Sequence, residues 1–261
     1  MSNLEGKSAV VAAGAKNLGG LISTTLGARG VNVAVHYNSA ATEADADQTV
    51  AAIESSGAKA IKVQGDLTVP GNVEQLFDAA VEAFGGVDIA VNTVGKVLRK
   101  PIVETTEAEY DSMFDINAKA AYFFIAEAGR RLNDNGSLIT IVTSLLAAFT
   151  DGYSTYAGAK APVEHFTRAA AKEFGARGIN FQHGFEIGLN RPVCLTHGGE
   201  GGFKIAGFNP HQRPHGVIVD RAIAPADLFG SGSNPGFDIA GLIGQHIIGQ
   251  HIVPVHPQQM L

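Results

Sequence analysis

Lys7-Ser-Ala-Val-Val-Ala-Ala13, then Gly14-Ala-Lys-Asn-Leu-Gly-Gly20, then Leu21-Ile-Ser-Thr-Thr-Leu-Gly-Ala28 is the stretch whose reading decides the fold. The first seven residues are an apolar run of strand length. The next seven are a glycine-rich turn, and the last eight read as a helix. Strand, glycine turn and helix in that order is the context that a dinucleotide-binding turn requires. Glycine lets the backbone approach a pyrophosphate, and a helix N-terminus supplies free N–H groups and a partial positive charge. Taken alone, such a turn is also what an ordinary tight connection looks like. Its place ahead of a second strand at 31–36 gives it weight.

That second strand ends in His36-Tyr37-Asn38-Ser39, and no acid follows until Glu43. A carboxylate at this strand end would bind both ribose hydroxyls of NAD and repel a 2′-phosphate. Lys16 lies inside the glycine turn, within reach of such a phosphate; otherwise it is a solvated surface lysine. Both features favour NADP.

Further along runs Tyr153-Ser-Thr-Tyr-Ala-Gly-Ala-Lys160. Tyr156 and Lys160 are one helical turn apart and share a face. A phenol of pKa near 10 is a poor proton donor at neutral pH. A cation within about 4–6 Å lowers that pKa by roughly 1–3 units and makes a usable acid–base group. The spacing alone fits a half-buried ring beside a solvated amine equally well.

Together these residues resemble the short-chain dehydrogenase/reductase family in its single-domain form, over about residues 5–180. Gly14, Gly19 and Gly20 stand for the family's glycine turn, with Asn17 between them and Leu18 where that turn usually has glycine. Asp66, in Gly65-Asp66-Leu67, matches the acid at the adenine pocket; an Asx turn is the alternative reading. Asn92-Thr-Val-Gly95 is similar to the Asn-Asn-Ala-Gly motif that ends the fourth strand. Asn117 matches the helix asparagine that holds a proton-relay water. Ser144 matches the serine that binds the substrate oxygen. It lies one residue closer to the tyrosine than usual, so Thr143 is the fallback. Tyr156 and Lys160 take the catalytic positions; Tyr153 does not, because Ala157 lies four residues on.

Outside the motifs, strands alternate with helices. Helices are predicted at 41–56, 73–84, 106–114, 116–132 and 156–175, and strands at 60–64, 87–92 and 137–143. This alternation implies an α/β, doubly wound parallel sheet, Rossmann-like, as a single domain with an atypical C-terminal segment. Residues 14–20, 92–95 and 144 then sit at the carboxyl ends of strands, where ligands bind. The 45% hydrophobic and 17% charged composition suits a sheet buried on both faces. The net charge of −6 gives no reason to expect a nucleic-acid or membrane partner. A single cysteine, Cys194, excludes an internal disulfide framework. No signal-like segment or long apolar run is evident, so a cytoplasmic location is expected.

Residues 181–261 read differently from the 1–180 core. Seven of the nine histidines and seven of the ten prolines fall here. In place of the family's Val-Asn-x-x-x-Pro-Gly segment, Gln182 stands for asparagine, Glu186 for proline and Ile187 for glycine. Three accounts fit: a divergent substrate lobe, a weakly ordered segment, or a shifted reading frame. Weak order is expected over about 185–235, with an edge strand recovered near 247–255. The pairs His211 with His215 and His246 with His251 lack companion ligands at metal-site spacing, so no metal is expected.

The resemblance implies an NADPH-dependent, reversible reduction of a ketone to a secondary alcohol. Tyr156 is the general acid, Ser144 orients the carbonyl, and Lys160 tunes the tyrosine and holds the nicotinamide ribose. NADP is the cofactor, contacted also by Tyr37, Asn38, Ser39 and Leu67. Val97, Leu98, Leu145, Leu146, Phe149 and Tyr153 suggest an apolar substrate, while Lys96, Arg99 and Lys100 suit either an anionic handle or a solvated face. The family resemblance also implies a homodimer or homotetramer through helices 116–132 and 156–175. The alternative is a catalytically impaired NADP-binding regulatory or scaffold protein.

Overall fold

The computed structural model describes residues 4–147, 149–185, 193–197 and 203–206. Strands β1 (Ser8–Ala12), β2 (Asn32–Tyr37), β3 (Ala60–Gln64), β4 (Val87–Asn92), β5 (Leu132–Ile141) and β6 (Asn180–Phe185) pair in parallel, in the order β3-β2-β1-β4-β5-β6. Helices α1 (Asn17–Gly27), α2 (Glu43–Ser55), α3 (Pro70–Phe84), α4 (Glu107–Phe114), α5 (Ala120–Arg131) and α6 (Ser154–Glu173) alternate with them. This is the doubly wound, Rossmann-like sheet that the alternation implies.

Successive strand residues point to opposite faces, and both faces are covered. Ala9 and Val11 join Val33, Val35 and Val91 against Ile22 and Leu26 of α1 and Ile53 of α2. Val10 and Ala12 join Ala34, Ala90 and Leu138 against Leu76 and Phe77 of α3 and Phe124 of α5. Burial on both sides explains β1, whose five residues are all buried, whereas the edge strand β3 alternates and leaves Lys62 and Gln64 exposed.

Some boundaries differ from the sequence reading. Helix α3 begins at Pro70, because proline lacks only an N–H that the first helical turn leaves unbonded anyway. The helices expected at 106–114 and 116–132 are one continuous run. They are joined by a π-turn at Asp115–Lys119, where the Ala120 N–H bonds the Asp115 carbonyl five residues back. Such single π-turns often accompany functional sites.

Strands β7 (Val193–His197) and β8 (Phe203–Ala206) extend the sheet beyond β6 as an antiparallel pair. Both lie within the stretch where weak order is expected, and they are the two segments of it, beyond β6, that the structure describes. The open edge of β6 pairs through backbone groups, which the side-chain pattern does not report. The rest of 185–235, the strand expected near 247–255 and the four histidines considered for metal lie outside the described residues. Among the described residues no cluster of three metal-ligating side chains forms, and no helix is long and apolar enough to cross a membrane.

Candidate active site

A cavity of about 420 Å³ opens beyond the carboxyl ends of β1 and β4, the neighbours at which strand order reverses. In open α/β sheets ligands bind at this reversal. The floor of the cavity is the glycine turn, and its backbone groups are held from four directions. Thr93 donates to the Ala12 carbonyl through its hydroxyl at 2.8 Å. The Ala13 N–H donates to His36 Nδ1 at 2.9 Å. Ser23 Oγ donates to the Gly14 carbonyl at 2.9 Å, and Thr49 Oγ1 to the Ala15 carbonyl at 2.7 Å.

Helix α1 starts on this turn. A Cβ on Gly19 would overlap the Ala13 carbonyl and come within 2.9 Å of Thr93 Oγ1, so glycine is required for the helix to seat on the strand ends. Lys16, the N-cap residue, is extended and makes no side-chain cap. The first N–H groups of α1 therefore face the cavity without a capping side chain, which is the donor set a pyrophosphate uses. Leu18 fills its place with a half-buried side chain packed on the α1–α2 cluster. The residues present fit a dinucleotide.

At one end, Asn38, Asp66 and Leu67 line the cavity. The Asp66 carboxylate also makes an Asx turn, accepting from the Thr68 N–H at 2.9 Å and the Thr68 hydroxyl at 2.8 Å. Tyr37 is buried, with Lys62 over its ring at 6.0 Å. The Ser39 carbonyl accepts from the Thr42 N–H and hydroxyl. Lys16 reaches the cavity wall and pairs with Asp45 at 3.2 Å, both side chains being well exposed. Asp45 is the acid the sequence reading passed over. Glu43, at which that reading stopped, pairs instead with Lys62.

At the other end, Asn92 is buried and its Oδ1 accepts from the Val94 N–H, fixing the turn after β4. Gly95 lines the cavity. A Cβ there would sit 3.0 Å from both Lys160 Nζ and Asn117 Oδ1, so these two side chains press on a bare α-carbon. Lys160 is buried and donates to the Val94 carbonyl at 2.9 Å and the Ile141 carbonyl at 3.2 Å, tying α6 to the ends of β4 and β5. Burial pushes its pKa down to about 8. Asn117 donates to the carbonyls of Lys96 at 2.9 Å and Met113 at 3.0 Å, and accepts from the Lys96 N–H at 3.1 Å. Tyr156 stands half-buried one turn before Lys160 on α6. Ser144 opens the short turn Ser144–Leu146 after β5. The Thr143 hydroxyl accepts from the Leu145 N–H at 3.3 Å, whereas Ser144 and Tyr156 make no side-chain hydrogen bond among the described residues.

The family model described as Enoyl-(Acyl carrier protein) reductase matches residues 12–182. The chain belongs to the short-chain dehydrogenase/reductase family. Hydroxynaphthalene reductase arp2 of Aspergillus fumigatus is 35% identical over 175 residues, which are 67% of this chain and 63% of that protein. The curated relatives are thus matched over somewhat less than two thirds of their length. Among solved structures, a putative dehydrogenase from Burkholderia cenocepacia with bound NADP is 58% identical, with a TM-score of 0.68 and coverage of 69% of each chain. A blue fluorescent protein from a metagenomic library in complex with NADPH is 33% identical, with a TM-score of 0.67, covering 70% of this chain and 74% of that one.

Of the cofactor residues expected in this short-chain dehydrogenase/reductase, Lys16, Asn17, Leu18, Gly19, Asn38, Asp66, Leu67 and Gly95 line the cavity. Gly14, Gly20, Tyr37, Ser39, Asn92, Tyr156 and Lys160 are not in its wall; Gly14, Gly20 and Asn92 shape the turns beneath it. Sequence reading missed His36 and Thr68 in the lining, and it named Thr93 only as part of the 92–95 strand end and Lys96 only as a handle for substrate. Thr93 stood in plain view as a departure from the family motif, and its hydroxyl bond to β1 is the reason it fits. His36 carried a signal too: a polar residue directly after the apolar run Val33-Ala-Val35 of β2.

Proposed function

We propose that this oxidoreductase uses NADPH to reduce a ketone to a secondary alcohol, reversibly, with Tyr156 as the general acid. The observation that carries the reading is the placement of Lys160. A buried ammonium, one helical turn from a tyrosine, stands directly behind Val94 and Gly95 of the cavity wall, bonded to the Val94 carbonyl. The NADP-bound and NADPH-bound neighbours support the choice of cofactor.

NADPH, when bound, supplies the hydride to the carbonyl carbon. Ser144 donates a hydrogen bond to the carbonyl oxygen and orients it. Tyr156 gives its proton to that oxygen, a contribution of about 10²–10⁴ in rate. Lys160 favours the phenolate left behind and holds the nicotinamide ribose. Both ends of the Asn117 amide are committed to the Lys96 and Met113 main chain.

Val97 and Phe149 are well exposed, and with them the proposed substrate is an apolar ketone. Lys100 is taken by Glu109 at 2.8 Å, and Arg99 lies over the Tyr153 ring at 5.6 Å. Of the three basic residues, Lys96 and Arg99 are left to meet an anionic handle. Self-association as a dimer or tetramer through α5 and α6 is part of the proposal, but it rests on fewer residues than the helical spacing gives. Ala118, Ala121, Ile125, Val163 and Ala170 are buried within the subunit, and Tyr122, edge-on to Phe166 at 5.1 Å, is exposed. The division near residue 180 also belongs to this proposal, with residues 1–180 carrying cofactor and chemistry.

One observation favours the second reading, a regulatory or scaffold protein that binds NADP without turnover. The family match stops at residue 182, where the segment expected to close over the nicotinamide departs. Both readings expect NADPH fluorescence to change on binding. Oxidation of NADPH by at least one of a panel of aliphatic and aromatic ketones, abolished in Tyr156→Phe, is the expected result. Binding without oxidation of NADPH by any ketone would turn the choice to the second reading.

A further inference from the structure

His36 is the single titratable side chain among the four that hold the glycine turn, the others being Thr93, Ser23 and Thr49. It sits in β2, is 2% exposed, and its ring spans two loops that both border the cavity. Nδ1 faces the Ala13 N–H at 2.9 Å, and Nε2 faces the Gly65 carbonyl at 2.7 Å. A backbone N–H can only donate and a carbonyl can only accept. The ring is therefore neutral, with its proton on Nε2. Ala13 needs this partner: it holds a left-handed φ of +54°, which an L-residue with a Cβ rarely adopts unless its surroundings enforce it.

A second proton on the ring would land on Nδ1, donor against donor with the Ala13 N–H. Burial already acts against that proton, holding the imidazole below its ordinary value of 6.5. The Gly65 carbonyl and the Asp66 carboxylate, beyond β3, act in the opposite direction. The other charged side chains lining the cavity are Lys16 and Lys96.

We propose that His36 is a positioning residue for the dinucleotide: its neutral, Nε2-protonated ring fixes the glycine turn, and cofactor affinity falls when the ring takes a second proton. The inference rests on the cofactor reading above and adds to it a residue and a pH dependence. Nothing in it requires His36 to touch the reacting atoms. It acts through Ala13 and Gly65.

The test is calorimetric titration of NADP⁺ into the full chain between pH 5.0 and 7.5. The unmodified protein is compared with His36→Gln, which keeps an acceptor and a donor but cannot titrate, and with His36→Phe, which keeps bulk but neither group. The ligand's own 2′-phosphate titrates near pH 6, equally for all three, and cancels in the ratios. At pH 7.5, His36→Gln is expected to bind within about threefold of the unmodified chain, and His36→Phe at least about tenfold more weakly, the cost of a turn N–H left without its partner. As the pH falls to 5.0, the dissociation constant of the unmodified chain should rise relative to that of His36→Gln. A ratio that stays constant with pH overturns the proposal, and so does His36→Phe binding as tightly as the unmodified chain. If His36→Phe does not fold, the ratio to His36→Gln decides alone. No NADP⁺ binding by the unmodified chain at any pH would instead overturn the cofactor reading, and the proposal with it.

Discussion

The side chain of Asn117 and the main chain of Lys96 bond in both directions: Oδ1 accepts from the Lys96 N–H at 3.1 Å, and Nδ2 donates to the Lys96 carbonyl at 2.9 Å. The π-turn thereby grips the loop after β4, with Gly95 and Lys160 packed on the same spot.

Asn117→Ala should consequently loosen that loop. It leaves the Lys96 N–H and carbonyl without partners in a site whose amide is fully buried. A loss of about 2–4 kcal/mol in unfolding free energy is expected, measured by urea titration. Turnover should fall further than cofactor affinity, because Lys160 loses its packing partner. Unchanged stability would mean the loop is held by something other than this pair.

Much of this site was legible in the sequence, and the parts that were not have a common cause. The glycine turn, the strand ends and the Tyr156–Lys160 spacing are local patterns, and a local pattern survives folding. The bonds from Thr49 and His36 to the turn join residues 34 and 23 positions apart, and no short window contains them. Asp45 was passed over for the same reason: it reaches Lys16 only because α2 packs on α1. The apolar faces of α5 and α6 show the limit of periodicity. Ala121, Ile125, Val163 and Ala170 follow helical spacing because they are buried within the subunit, Ile125 and Ala170 in the main core and Ala121 and Val163 in a small cluster with Val142, and the same spacing would serve a subunit interface.

Tyr156→Phe removes the proposed proton donor and should lower turnover by at least about 10²-fold while NADPH binding is nearly unchanged. Ser144→Ala should act in the same way. Thr143→Ala should do much less to turnover, because the Thr143 hydroxyl already serves the Ser144–Leu146 turn. Steady-state rates of the three variants with one ketone settle the assignment. If Thr143→Ala were the damaging change and Ser144→Ala were benign, the serine role would move back by one residue.

Lys16 and Asp45 form an exposed pair, so a 2′-phosphate must compete with a carboxylate for the lysine. NADPH should bind tighter than NADH by roughly 10- to 150-fold, and Lys16→Ala should erase most of that preference. Asp45→Asn should strengthen NADPH binding and leave NADH little changed, since it frees the lysine without altering the ribose contacts. Fluorescence titration of both cofactors against the three proteins is the measurement. Equal affinities in the unmodified chain would remove the lysine from the cofactor site.

Lys160 offers a prediction that is independent of any substrate. Its folded pKa of about 8 lies below its ordinary value of 10.5, and burial is the cause. Between those two pH values the unfolded chain still holds a proton that the folded chain has released. Stability contributed at this position therefore rises with pH across that window and is lowest below pH 8, where the fold must bury a charged ammonium. Lys160→Met has no such proton. The unfolding free energy of the unmodified chain minus that of Lys160→Met should increase by about 2 kcal/mol from pH 7.5 to pH 9.5, all other titrations being common to both proteins. Urea unfolding at the two pH values gives the difference directly. A difference that stays flat would place the lysine in solvent, at its ordinary pKa, and would take away the buried cation on which the Tyr156 chemistry depends.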